Sequence, residues 1–237
     1  MEKDSDMNFS EVKEVLYKRY SHLGVKKNSD GTELIGEVPE VAPYAFLHSI
    51  YHGLSNKEIL DIENLIGFQL PLAVKKMYET FNGLTLFVDT LNIYGLRKNN
   101  NRSIESSWQP YDIRTYNVEE RIEGATESML FIGGYSLNGN KVYFNMKNEC
   151  VYLCSKDNIS PLAKWSSLEE WLTTEVNRLI NLHNDKGLNI PFRSTVPIGG
   201  EDTVNKLIKL YCNIERKPYW YKETIKLYKK DSRMVNS

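Results

Sequence analysis

His48 and His52 stand four residues apart, the spacing at which two imidazoles on one helix face can share a zinc ion. The zincin pattern needs a glutamate directly after the first histidine, whereas Ser49 follows here and no third ligand is identifiable, so no metal is expected. His22 and His183 fall near the ends of expected helices, where a histidine meets the helix dipole favourably. No Gly-x-Ser-x-Gly elbow occurs, and neither cysteine region carries a cysteine-protease signature. Gly133-Gly134 followed by Gly139 matches no phosphate cradle, because no helix follows and no lysine stands in place; close backbone approach or a strand bulge is the plainer reading. No catalytic residue and no cofactor is expected.

Two features remain. Glu119, Glu120, Glu123 and Glu127, with Arg121 among them, form an acidic patch, which a solvated helix face would also explain. From Glu201 onward nine basic and five acidic residues are interleaved with Tyr211, Tyr219, Trp220, Tyr221 and Tyr228. Rings and cations together can bind single-stranded nucleic acid, although a helix pair burying its rings gives the same pattern. Residues 1–200 carry 21 basic and 26 acidic side chains, so an acidic body precedes a basic tail. The whole chain of 237 residues is nearly neutral at -1, which argues against a general affinity for nucleic acid.

The elements that must position these residues follow from periodicity. Phe9, Val12, Leu16, Tyr20 and Leu23 predict a helix over about Asn8 to Leu23, followed by a polar loop from Lys26 to Gly31. A second helix is expected after Pro43, with Phe46 and Ile50 inward, ending near Gly53. Ser55 and Glu58 form a capping box before Ile59, Ile62 and Ile66, and Gly67 suits the helix exit. Pro71 opens a further helix carrying Val74, Met77, Tyr78 and Phe81, which Asn82-Gly83 should close. Strands are predicted at 84–88, 91–94, 129–135, 141–146 and 150–155, with Asn138-Gly139 as a hairpin turn. Residues 98–107 read as a polar loop and 111–127 as a mixed segment with a short helix. Ser167 and Glu170 are expected to form a second capping box, opening a long amphipathic helix bearing Leu168, Trp171, Leu172, Val176 and Leu179, and two helices are expected in the tail.

With 41% apolar and 11% aromatic residues, the chain can fill a core, and no apolar stretch reaches the ~20 residues a membrane span needs. The polar start, Met-Glu-Lys-Asp-Ser-Asp, lacks a secretory apolar region, so the cytoplasm is the expected compartment. Cys150, Cys154 and Cys212 fit reduced thiols; the first two, four apart on one strand, lie ~13 Å from each other and cannot bridge without a turn, while pairing of either with Cys212 stays open.

The ordered series Leu54 to Ile59, Ile62-Glu63, Ile66-Gly67, Leu70-Pro71, Tyr78, Phe81-Asn82-Gly83 and Ile93-Tyr94-Gly95 resembles the SUKH superfamily. Phe131-Ile132-Gly133 before a hairpin and Ser167 to Leu172 on the last core helix extend the likeness, which covers about residues 50–184. The resemblance implies an α+β fold, a mostly antiparallel sheet wrapped by helices. On that reading residues 1–49 are a helical extension, 50–184 the SUKH-like domain, and 185–237 a basic, aromatic-rich helical extension.

The resemblance also implies function. Bacterial members act mainly as immunity proteins that bind a cognate toxin, often a nuclease, and fungal relatives serve as scaffolds in cell-wall synthesis and signalling. The expectation is a non-catalytic protein whose partner is a toxin made by a neighbouring gene. Glu119, Glu120, Glu123 and Glu127 would meet the toxin's basic groove in place of phosphates, and Trp108, Tyr111 and Tyr116 would supply aromatic anchors. A regulatory scaffold for an endogenous partner, or nucleic-acid binding through the tail, are the alternatives; no membrane is expected.

Overall fold

A computed structural model describes residues 8–99 and 108–188, and within them the chain forms an α+β fold. The first helix, α1 (Phe9–Tyr20), starts where Asn8 accepts from the Ser10 and Glu11 amides and the Glu11 carboxylate returns to the Asn8 amide. Phe9, Val12, Leu16 and Tyr20 form its buried stripe. Three strands follow: β1 (Val25–Lys27), β2 (Glu33–Glu37) and β3 (Phe46–His52).

The helix expected after Pro43 is therefore a strand, and the expected loop at Lys26 begins inside β1. The cause lies in burial. Leu47, His48, Ser49, Ile50 and Tyr51 are all buried, because β3 pairs on both edges and is covered on both faces. A strand covered on both sides shows no polar–apolar alternation, and Phe46 and Ile50 satisfy helical spacing as well. Residues 25–52 thus extend the same sheet as the rest of the chain.

Helices α2 (Asn56–Ile66) and α3 (Leu72–Thr80) are inserted between β3 and its neighbour β4 (Phe81–Leu86). The Ser55–Glu58 capping box forms as expected, and Gly67 takes the left-handed exit at φ 82. The Glu63 carboxylate accepts the Leu70 amide at 2.7 Å and the Lys75 ammonium at 2.8 Å, which fixes the turn into α3. Burial pushes the Glu63 carboxyl up, but these two bonds outweigh it and hold it below its ordinary value.

Asn82-Gly83 lies inside β4 rather than in a helix exit. The Asn82 amide donates to Leu96 O (2.9 Å) and its carbonyl accepts from Leu96 N (2.6 Å), so the side chain acts as an extra rung of the ladder. Tyr78 donates to Tyr94 O at 2.9 Å beside it. Gly95 permits the approach, since a Cβ there would meet Asn82 O at 2.4 Å.

The sheet continues through β5 (Leu91–Ile93), β6 (Met129–Tyr135), β7 (Lys141–Asn145), β8 (Val151–Cys154) and β9 (Ala163–Trp165). Its nine strands are antiparallel and adjacent in chain order. The β6–β7 connection spans Ser136–Asn140, and only Gly139 has a positive φ there. The last helix, α4 (Leu168–Leu182), packs on α1, which also meets α3. Leu130, Ile132, Val142, Phe144, Val151 and Leu153 point into this helical layer. Phe131, Tyr143 and Cys154, the alternate residues, form a second small core with Ile122 on the other face. Among the described residues no helix is long and apolar enough to cross a membrane.

Candidate protein-binding face

Among the described residues, segment 108–127 covers much of the second small core, with Ile159 beside it. It is anchored first at Gly95, whose amide donates to Tyr111 O while its carbonyl accepts from Ile113 N, both at 2.9 Å. Ile113 is buried in the main core. A π-helical turn (Thr115–Glu119) follows, and buried Asn117 inside it donates to Ile113 O and Phe131 O at 2.8 Å and accepts from Phe131 N at 2.9 Å. Ile122 and Ala125 then pack on the second core. The Arg121 guanidinium donates to the carbonyls of Asn117, Thr126 and Met129 and lies 5.7 Å from the Phe131 ring centre.

This anchoring decides what faces solvent. Glu119, Glu120, Glu123 and Glu127 are exposed, on the end of the turn and the loop after it rather than along one helix face. Arg114 pairs with Glu119 at 3.0 Å, and Arg121 is committed to backbone carbonyls. Glu120, Glu123 and Glu127 make no ion pair among the described residues. Residues 108–127 contain five acidic and two basic side chains, a net charge of -3.

The three rings take separate places. Trp108 is half-buried, edge-on to Phe46 with centroids 5.8 Å apart. Tyr111 is exposed and donates to Asp89 Oδ2 at 3.1 Å; burial of the phenol, together with the Asp89 charge, pushes its pKa up to about 12. Tyr116 is half-buried, stacked on Tyr94 at 5.2 Å, with the Lys141 ammonium 3.7 Å from its ring centre. Trp108 and Tyr111 line a cavity of about 380 Å³ with Phe46, Tyr51, Asp89 and Arg97, and Tyr116 does not reach it. A second hollow of about 350 Å³, bordered by Lys26, Asp30, His52 and Lys98, shares Tyr51, Trp108 and Gln109 with the first. The two hollows adjoin through these shared residues.

Asp89 carries no sequence signature beyond its place between two strands. The structure presents it on three successive residues with left-handed backbone, Phe87 at φ 51, Val88 at φ 49 and Asp89 at φ 72, none of them glycine. Each such position costs on the order of 1–3 kcal/mol and persists only where the surroundings over-determine it. Here Phe87 is clasped by Tyr20, His48 and His183, Val88 N donates to Leu47 O, and Thr90 binds Phe87 O through both its amide and its hydroxyl.

His48 and His52 are not joined. His48 is fully buried against Tyr20 and Phe87, while His52 is exposed at the second hollow, and four residues along a strand separate them by ~13 Å. No group of three metal-binding side chains exists among the described residues. His183 sits at the C-terminal cap of α4, its Nδ1 2.7 Å from Leu179 O, and the His22 ring contacts Asp185 O at 3.0 Å. Cys154 is buried and Cys150 half-buried, and no disulfide joins them. Cys212, the basic tail and its expected helices lie outside the described residues, as does most of the asparagine-rich loop.

No curated protein matches the sequence. The family model described as the SMI1 / KNR4 family (SUKH-1) matches residues 53–174, more than half of the chain, from the residue after β3 into α4. The matched span holds the Glu63 turn, the Asn82–Leu96 rung and the whole of segment 108–127. The chain therefore belongs to the SMI1 / KNR4 family, SUKH-1.

Proposed function

We propose that this protein is a cytoplasmic immunity protein that binds and neutralises a cognate toxin, one that acts on nucleic acid, and that it changes no bond itself. Membership of the SUKH-1 family supports a toxin-immunity or related regulatory role. The observation that carries the reading further is the anchored segment 108–127. It holds Glu120, Glu123 and Glu127 exposed and without ion pairs among the described residues, on backbone tied down by Asn117 and Arg121, and the same segment carries the rings of Trp108 and Tyr111. A nuclease presents a basic groove to phosphates, and a fixed array of carboxylates occupies such a groove in their place. Because the array is pre-organised, little ordering entropy is lost when the partner docks.

Co-purification with the product of the adjacent gene tests the pairing. Charge reversal of Glu120, Glu123 and Glu127 to lysine should then lower the association rate by about 10–100-fold at low salt, with the difference shrinking as salt rises. Equal affinity at every salt concentration would remove these residues from the interface.

A further inference from the structure

The 380 Å³ cavity contains more than a surface for rings. Phe46, Tyr51, Trp108 and Tyr111 wall it, and Asp89 brings a carboxylate to its side. Asp89 Oδ2 accepts from the Tyr111 hydroxyl at 3.1 Å and from Ser136 Oγ at 2.9 Å. Among the described residues no lysine or arginine pairs with it. Arg97 shares the wall, and its guanidinium donates to Pro110 O at 3.4 Å. The cavity therefore offers aromatic faces, one carboxylate held by neutral donors, and one guanidinium turned to a backbone carbonyl.

We propose that this cavity receives a cationic side chain, lysine or arginine, from the protein partner, its stem against the rings and its charged head at Asp89. Aromatic faces attract cations through the ring quadrupole, and long basic side chains bury their methylene stems readily. The choice of a cation over an anion at Arg97 rests on the immunity reading above. Trp108 and Tyr111 belong to segment 108–127, whose net charge is -3; a partner that complements that segment is itself basic, and it supplies ammonium and guanidinium groups rather than carboxylates. The strained turn at 87–89 acquires a purpose on this view, since it brings Asp89 to the cavity wall.

The test uses the full-length chain with its four tryptophans fluorine-labelled, the Trp108 signal being assigned by its loss in Trp108→Phe. The probes are N-acetyl-arginine methylamide, N-acetyl-lysine methylamide and N-acetyl-glutamate methylamide. The two cationic probes should shift the Trp108 resonance saturably in the millimolar range. Asp89→Asn should weaken them at least tenfold, and Arg97→Gln should leave them unchanged or tighten them. Asparagine tolerates the left-handed backbone at φ 72 and still accepts from Tyr111 and Ser136, so Asp89→Asn removes charge without removing the turn. Absence of a saturable shift, tighter binding of the glutamate probe, or equal binding by Asp89→Asn would each overturn the proposal. If the probes saturate while the adjacent gene product fails to bind, the immunity reading fails and the cavity stands. If that product binds wild type and Asp89→Asn alike, and no probe saturates, the cavity fails and the immunity reading stands.

Discussion

His48 makes a sharp prediction about stability and pH. Its ring is fully buried in β3, 5.1 Å from Tyr20 and 4.6 Å from Phe87 between centroids, and its Nε2 has no hydrogen-bond partner. Burial, with a smaller contribution from His183, pushes its pKa down from 6.5 to about 3. The unfolded chain therefore takes up a proton below pH 6.5 that the folded chain refuses until about pH 3. Stability falls as pH drops through that window, by about 1.4 kcal/mol per pH unit once the unfolded imidazole is mostly protonated. Between pH 7.5 and 4.5 the loss from this one group is about 2.5 kcal/mol. Carboxylates act in a different range. Glu58, pulled down to about 2 by its bonds to Lys98 and Ser55, loses its contribution only below its ordinary 4.5, and Glu33, Glu63 and Glu170 are likewise lowered. His183, also lowered by burial, adds to the histidine window.

His48→Leu removes the titration at nearly constant volume and removes an unsatisfied buried nitrogen. Urea unfolding of both proteins at pH 7.5, 6.0 and 4.5 gives the comparison. The variant should gain on wild type by about 2.5 kcal/mol across the series, whatever its offset at pH 7.5. Parallel curves for the two proteins would refute the reasoning, because they would mean that the folded state accommodates the proton as easily as water does.

Three further substitutions probe the framework. Glu63→Gln keeps the shape of the α2–α3 turn but loses the charge that meets Lys75, at a cost of about 2 kcal/mol at neutral pH. Because the folded Glu63 pKa lies below 4.5, urea midpoints of variant and wild type should converge as pH falls through that value. Gly95→Ala forces a methyl to 2.4 Å from Asn82 O and should cost about 3 kcal/mol, read as a lower thermal midpoint. Asn117→Ala deletes three bonds between the π-helical turn and its surroundings, worth about 3 kcal/mol, and hydrogen exchange should show faster opening of residues 111–127 than of β7.

Caps and turns were legible in the chain because their chemistry is local. Ser55 with Glu58 and Gly67 satisfy backbone groups within a few residues, so the same spacing reads correctly without tertiary context, whereas the second box forms by half: Ser167 accepts from the Glu170 amide, and the Glu170 carboxylate accepts from Ser166 N instead of Ser167 N. The strands around 129–154 were legible because turn residues, Asn138-Gly139 above all, bound short apolar runs, even though β6 is buried on both faces. β3 was not, since a sheet edge on each side and cover on both faces erase its period. Asn82-Gly83 misled for a related reason: the residue pair that commonly ends a helix serves here as a side-chain rung to Leu96, a partner 14 positions away. Of the site, Trp108, Tyr111 and the glutamates were identifiable by type and loop position, and Trp108 and Tyr111 meet at one cavity while Tyr116 covers Tyr94 instead. Asp89 and Arg97 had no signal, because their proximity to Trp108 depends on how β3, β4 and residues 108–111 meet across the sheet.

The residues that carry the family resemblance and those that face solvent on segment 108–127 perform separate work. Glu63, Gly67, Tyr78, Asn82 and Gly95 are spent on the α2–α3 turn and on the β4–β5 region, where each satisfies or makes room for backbone. Segment 108–127 is held by backbone bonds to Gly95 and by Ile113, Asn117, Ile122 and the Arg121 guanidinium, none of which is one of the exposed glutamates. Its outward positions at 120, 123 and 127 make no ion pair among the described residues, and of the three only Glu127 acts on an anchoring group, through its charge on Arg121. Surface changes away from caps and buried pairs stay within about 0.5 kcal/mol, so reversing those three glutamates should leave the thermal midpoint nearly unchanged while altering what the face attracts. A partner-binding surface built this way can change its charge without disturbing the sheet that carries it. A large loss of stability on reversal would show instead that the glutamates hold the segment in place, and the face would then have to be sought elsewhere.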